Sequence, residues 1–170
     1  AGAAATPRQG RHHHAINTRS AEAQAAFDDG MTYVFGFNHE EGIRSFERAA
    51  QLDPAAAMPH WGIAWALGPN YNLDIDDPRS KQAYDETQKA LTLAANGPEN
   101  ERAYVAVFAN RYSPDPQADR AALAKQYSLA MRDLVQRFPD DLDAATLYAE
   151  SLMNLRPWKL WTLDGRPGEG

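Results

Sequence analysis

Apolar residues along most of this chain recur at intervals of three and four positions, which is the spacing of an amphipathic helix and not of a strand. Short segments rich in Gly and Pro interrupt the pattern, as expected at helix ends. The pattern predicts an all-α fold with helices over residues 21–36, 39–52, 56–67, 79–95, 99–112, 117–137 and 142–155.

Polar residues stand at several of the predicted helix starts. Ser20 has the position of an N-cap residue for the first helix, and Asn38 with Glu41 has the spacing of a capping box for the second. Asp77 or Ser80 is expected to cap the fourth helix. Such side chains accept hydrogen bonds from the backbone N–H groups that the first turn of a helix leaves unpaired, so they support the predicted boundaries.

Small and large residues are spaced regularly between residues 30 and 54. Two antiparallel helices can approach closely where small residues lie at the crossing of their axes and large residues fill the space beside it. In this segment Gly30 and Gly42 are the small residues, whereas Tyr33 and Phe46 are the large ones. The spacing therefore predicts one closely packed helix pair.

This segment resembles one tetratricopeptide repeat, a helix-turn-helix unit of roughly 34 residues. Six positions have the residue types and offsets of that family, namely Gly30, Tyr33, Gly42, Phe46, Ala49 and Pro54. The Trp and Leu that are usual in the first helix are replaced by Ala26 and Asp29. The resemblance implies an α-α superhelix, a right-handed TPR-like solenoid of about three helix pairs with one additional C-terminal helix.

The helical pattern divides the chain into three parts. Residues 1–19 are expected to form a flexible N-terminal lead-in, residues 20–156 the helical repeat domain, and residues 157–170 an irregular C-terminal tail. The stretch from His12 to Trp161 is also similar to bacterial repeat proteins in which further repeats follow. That similarity suggests the N-terminal part of a longer chain.

The last predicted helix has no partner helix after it. Because a repeat buries its apolar face only against a neighbour, this helix is expected to expose part of its apolar side. The residues concerned are Leu147, Leu152, Met153 and Leu155. Three arrangements would cover them: Trp158 and Trp161 fold back, the chain associates with itself through the C-terminal helix, or further repeats follow.

Composition excludes several classes of function. The net charge is −6 and the 17 Lys and Arg residues are scattered, which argues against a nucleic-acid partner. Cysteine is absent, so disulfides and thiolate metal sites are excluded. No apolar run approaches the roughly 18 residues of a membrane span, so we expect no membrane insertion. The compartment stays open between cytoplasm and periplasm, and the small polar N-terminal residues slightly favour export.

Aromatic residues are dense in the first half of the chain. The resemblance implies a concave face lined by the first helix of each repeat, and the register places Phe27, Met31, Trp61 and Trp65 on that face. Polar candidates beside them are Asn38, Asn70, Tyr71 and Asn72. Together they predict a protein- or peptide-binding scaffold without catalytic activity or cofactor. The alternative is that the aromatic residues belong to the core between repeats.

A metal-binding protein or an enzyme is the second hypothesis. Its candidate ligands are the five histidines, all within the first 60 residues: His12, His13, His14, His39 and His60. Imidazoles that converge can bind Zn, Cu or Ni. None of the five has the spacing that puts two ligands on one helical face, so the sequence alone does not show that they meet.

The loop over residues 69–78 is the other part of that hypothesis. It carries Asp74, Asp76 and Asp77, but the Gly and the last carboxylate of a calcium-binding loop would fall on Arg79 and Asp85. The chain also has no glycine-rich phosphate loop, GxSxG or HExxH motif. The sequence therefore favours the binding scaffold over the metalloprotein or enzyme.

Overall fold

The computed structural model of this protein describes residues 12–168, and its regular secondary structure is helical. The helices are α1 (Ala21–Phe35), α2 (His39–Leu52), α3 (Met58–Leu67), α4 (Asp77–Ala94), α5 (Glu99–Phe108), α6 (Arg120–Arg137) and α7 (Leu142–Asn154). The predicted all-α class is thus confirmed for the described residues. Two isolated bridges, Asn70 with Leu73 and Trp161 with Pro167, lie outside the helices.

Side-chain caps begin most of these helices. Ser20 accepts a hydrogen bond from the backbone N–H of Ala23, and Asn38 accepts one from the N–H of Glu41, as predicted. The prediction for α4 was wrong, because Asp76 is its N-cap residue. Since Pro78 has no N–H, the Asp76 carboxylate instead accepts from the N–H of Arg79 at 2.8 Å.

Helix backbones approach one another in chain order. Within the described residues, each helix packs against the next one in the chain, and α3 also contacts α1 and α5. Contacts confined to near neighbours are typical of helical repeat proteins. These contacts place α1, α3 and α5 side by side, and α1 and α3 carry the four apolar residues that were predicted to line a groove.

Phe46 is the centre of the closest helix approach. A Cβ atom on Gly30 would lie 2.5 Å from the Phe46 ring, and one on Gly62 would lie 2.7 Å from it. A Cβ atom on Gly42 would lie 2.5 Å from Val34. The predicted roles of Gly30 and Gly42 as close contacts and of Phe46 as the residue that fills the space between them are therefore confirmed.

The C-terminal end of the fold leaves apolar side chains exposed. Leu152, Met153 and Leu155 are exposed as predicted, whereas Leu147 is completely buried. Trp158 contacts Tyr71 but stays 72% exposed, so the tail covers little of α7. Among the described residues, no helix combines the length and the apolar character needed to cross a bilayer.

Candidate functional site

Residues 12–18, which we call the lead segment, lie across α1, α5 and the start of α7. The side-chain amide of Gln24 in α1 binds the backbone of this segment through both its oxygen and its nitrogen atom. Its Oε1 atom accepts from the N–H of Ile16 at 2.9 Å, and its Nε2 atom donates to the carbonyl of His14 at 2.8 Å. The end of the predicted flexible lead-in therefore has defined contacts; residues 1–11 lie outside the described residues.

Acidic side chains add further contacts to the lead segment. Asp28 accepts from the N–H of His14 at 3.2 Å and pairs with the His13 ring at 2.8 Å. Glu101 of α5 accepts from the N–H of Asn17. Burial raises the pKa of Glu101, while the hydrogen bond from Asn17 opposes that shift. Several backbone groups of one non-helical segment are thus bound by side chains of different helices.

Two side chains anchor the lead segment in the fold. Ile16 is 8% exposed and belongs to the main apolar core. The His14 ring lies 5.2 Å from the Tyr104 ring in an edge-on arrangement and 6.1 Å from the Phe27 ring. The segment therefore combines backbone hydrogen bonds with two inserted side chains, which is how proteins recognise extended peptides.

The aromatic residues predicted for the concave face are core residues in this conformation. Phe27, Met31 and Trp61 are at most 1% exposed, and Trp65 is 5% exposed. The Trp61 and Trp65 rings stack at 5.6 Å. Their burial leaves a partner no surface on these four side chains in this conformation. Their role in binding stays a prediction.

Two of the predicted histidines converge on α7. His14 Nδ1 lies 2.7 Å from Asp143 Oδ2, and His12 Nε2 lies 3.4 Å from Asp143 Oδ1. Asp141 accepts a hydrogen bond from the Tyr104 hydroxyl at 2.8 Å. Ligand atoms of His14, Asp141 and Asp143 all lie within 4.8 Å of one another. We call these three residues with His12 the histidine–aspartate cluster.

The other histidines have separate partners. His13 pairs with Asp28, and His60 Nδ1 lies 2.6 Å from Glu86 Oε2. His39 has the Asn70 side chain 3.5 Å from its Nε2 atom. Burial lowers the pKa of His39, and Arg79 adds to that effect. His39 and His60 therefore make separate contacts, and the structure does not bring them into the cluster.

A pocket of about 390 Å³ lies between the 69–75 loop, α6 and the end of α7. The predicted loop residues Asn70, Tyr71 and Asn72 line it. Asn38, the remaining polar candidate, is exposed and caps α2 instead. The structure thus separates the predicted site residues into the buried aromatic core, the cap of α2 and the rim of this pocket.

Arg111, which follows α5, forms part of the pocket wall and is only 6% exposed. Its Nη2 atom donates to the carbonyl of Pro69 at 2.6 Å, but Nη1 has no hydrogen-bond partner. The guanidinium lies 4.5 Å from the centre of the Tyr127 ring, and the Tyr127 hydroxyl also lacks a partner. Burial opposes the charge, but neighbouring Tyr112, Tyr127 and Glu150 raise the pKa of Arg111 above its ordinary value.

Sequence reasoning did not identify several residues of these sites. Gln24, Glu101 and Arg111 carry no local motif, because their partners are distant in the chain. For the histidine–aspartate cluster, the sequence identified His12 and His14 as candidate ligands but did not identify Asp141 and Asp143 as their neighbours. No protein-family model, curated protein or solved structure shows a significant match to this chain.

Proposed function

We propose that this protein is a binding module of the tetratricopeptide type that holds an extended protein segment on the face formed by α1, α5 and α7. One observation carries the proposal: the chain's own lead segment lies on this face and is bound through its backbone. Gln24 and Asp28 together satisfy two N–H groups and one carbonyl of that segment. A foreign segment of the same backbone shape offers the same groups.

The contacts also indicate how specificity arises. Hydrogen bonds to backbone groups are available to any extended peptide, so they supply affinity without selecting a sequence. The sequence of the bound segment is selected at the two places where a side chain inserts. The site of Ile16 accepts an apolar side chain, and the site of His14 accepts an aromatic ring. The module therefore favours a segment with a β-branched residue two positions after a ring.

The lead segment competes with any external partner. A segment tethered to its own binding face acts at an effective concentration in the millimolar range, which lowers the apparent affinity for a partner in solution. Release of the lead segment is consequently the step that makes the face available. In this proposal, affinity depends on how easily residues 12–18 leave the helices.

A synthetic peptide of residues 12–18 tests this proposal. In the full chain carrying Ile16→Asp, the internal segment is expected to leave the face because a buried unpaired charge is costly. Fluorescence anisotropy of the labelled peptide should then show binding at least about tenfold tighter than to the unmodified chain. A peptide that itself carries the Ile16→Asp change is the matched control and should not bind. Equal binding to both proteins would refute the proposal.

A metal-binding function is the second candidate, and the histidine–aspartate cluster favours it. Two imidazoles and two carboxylates form a donor set that suits Zn²⁺ and related divalent ions. The His12 Nε2 atom is buried and makes no hydrogen bond, although Asp143 Oδ1 lies 3.4 Å from it. The ligand atoms of His14, Asp141 and Asp143 lie within 4.8 Å of one another, so they need only small movements to reach the roughly 2.1 Å bonds of a zinc centre. Such an ion would fasten the lead segment to α7.

Calorimetric titration with ZnCl₂ tests this second function on protein purified without a nickel column and treated with chelator. We expect one site per chain, with a dissociation constant in the micromolar range or tighter, on the order of 10 μM at most. His14→Ala should abolish the heat of binding. His60→Ala is the matched control, because His60 pairs with Glu86 instead. Unchanged binding in His14→Ala, or no binding at all, would refute a zinc site in the cluster.

A further inference from the structure

We propose that the pocket between the 69–75 loop, α6 and the end of α7 binds a small organic acid whose carboxylate pairs with Arg111. The pocket is lined by residues other than those that hold the lead segment. This site is therefore independent of the proposed peptide-binding face. Three steps lead to the ligand class: a buried charge without an ion-pair partner, a set of unpaired polar atoms and an aromatic rim.

The first step is the charge of Arg111. Buried cations normally pair with a carboxylate, because leaving water costs several kcal/mol that a partner must offset. Among the described residues, no carboxylate oxygen lies within 4.0 Å of the Arg111 guanidinium nitrogens. The nearby Glu150 carboxylate accepts instead from Trp65 Nε1 at 3.3 Å and from Asn154 Nδ2 at 3.4 Å.

Aromatic rings surround this charge in place of an ion-pair partner. The guanidinium carbon lies 4.5 Å from the ring centre of Tyr127, 5.5 Å from that of Phe108 and 5.7 Å from that of Tyr112. Such cation–π contacts stabilise the charge, but they leave Nη1 at the edge of the guanidinium without an acceptor. An anion in the pocket would supply an ion-pair partner and an acceptor for Nη1.

The second step is the pair of unpaired donors. Arg111 Nη1 and the Tyr127 hydroxyl make no hydrogen bond of normal geometry, although both residues are more than nine-tenths buried and line the pocket. Burial raises the pKa of Tyr127, so its hydroxyl keeps its proton near neutral pH. A carboxylate has two oxygens and can accept from both groups at once, which a single-atom anion cannot do as well.

A third unpaired atom defines the ligand further. Asn154 lines the pocket, and its Oδ1 atom is buried without a partner while its Nδ2 atom donates to Glu150. An acceptor in this position calls for an O–H or N–H group on the ligand. The complementary molecule is therefore a carboxylic acid that also carries a hydroxyl or a similar donor.

The third step is the rim. Tyr71 and Trp158 lie with ring centres 5.1 Å apart at the pocket, and Leu123 and Leu155 line it nearby. This surface suits an apolar or aromatic group, which would bury its ring against the rim while its carboxylate reaches Arg111. A volume of about 390 Å³ is within the usual range for small-molecule pockets. The inferred class is a hydroxylated aromatic acid of modest size.

Titration with 3-phenyllactate tests the inference, because this probe carries the carboxylate, the hydroxyl and the ring together. Calorimetry on the full chain should give a dissociation constant below about 1 mM. The methyl ester of the same probe lacks the charge and should bind at least about tenfold more weakly, since an ester cannot form the charge-assisted pair. 3-Phenylpropanoate, which lacks only the hydroxyl, should fall between the two.

Two variants assign the binding to these atoms. Arg111→Met removes the charge and should weaken 3-phenyllactate binding at least about tenfold. Tyr127→Phe removes only the unpaired hydroxyl, leaves the ring in place and should weaken binding several-fold, so it keeps the test decisive if Arg111→Met fails to fold. Arg132→Met, at an exposed site on α6, is the matched control and should bind normally. Equal affinity for the acid and the ester, or no binding at about 10 mM, would overturn the inference.

Discussion

Replacing Trp61 with Ala is expected to lower the free energy of unfolding by about 3 to 5 kcal/mol, the usual cost of deleting a large buried ring. Trp61 is 1% exposed, and its ring lies 5.4 Å from Tyr104 and 5.2 Å from Phe108. It also stacks on Trp65. The side chain thus joins α3 to α5, and the cavity left by its removal cannot be filled by any one neighbour.

Urea denaturation followed by far-UV circular dichroism measures this loss without depending on tryptophan fluorescence. Trp158→Ala is the matched control, because Trp158 is 72% exposed in the C-terminal tail. Its removal should change the free energy of unfolding by no more than about 0.5 kcal/mol. Similar losses in the two variants would show that Trp61 does not occupy the core position described above.

Gln24→Ala is expected to release the lead segment while leaving the helices folded. The substitution removes the hydrogen bonds to Ile16 N–H and to the His14 carbonyl. Each such bond contributes about 1 kcal/mol to stability. Losing both should therefore raise the equilibrium constant for opening of the segment about 30-fold. Amide hydrogen exchange at Ile16, followed by nuclear magnetic resonance, should accelerate by the same factor.

An exposed glutamine on another helix provides the comparison for this variant. Gln51 lies on the exposed side of α2, and Gln51→Ala should leave exchange at Ile16 unchanged. Amides in the middle of α3 should exchange equally slowly in both variants, since the core is not altered. If Gln24→Ala accelerated exchange throughout the molecule, Gln24 would stabilise the whole fold instead of holding the lead segment alone.

Local sequence signals were sufficient to locate the helices. Glycines and polar caps such as Ser20, Gly36 and Gly68 fix helix ends through contacts within a few residues, so the pattern contains the information. The end of α5 shows the limit of this reasoning. The helix stops at Phe108, before the predicted residue 112, and Tyr112 donates to the carbonyl of Ala64 at 2.7 Å. Residues 64 and 112 are 48 positions apart, and the spacing of apolar residues along the chain does not indicate a contact between them.

The candidate sites depend still more on distant contacts. His14 and Asp143 are separated by 129 positions, and no local spacing indicates that they meet. The sequence drew attention to the histidines and to Asn70 and Tyr71, but it did not indicate Arg111, whose charge is unusual only because of its surroundings. The chemistry of a side chain was enough to name it as a candidate site residue. Its burial and its hydrogen-bond partners could be seen only in the folded structure.

The position of the lead segment is the claim on which the account depends, and nuclear Overhauser contacts of the His14 ring test it most directly. The ring centres of His14 and Tyr104 lie 5.2 Å apart, so proton pairs on the two rings should give cross-peaks in the unmodified chain. Contacts from the His14 ring to Phe27 are expected as well. A His14 ring without these cross-peaks, with chemical shifts of an unfolded peptide, would contradict the account.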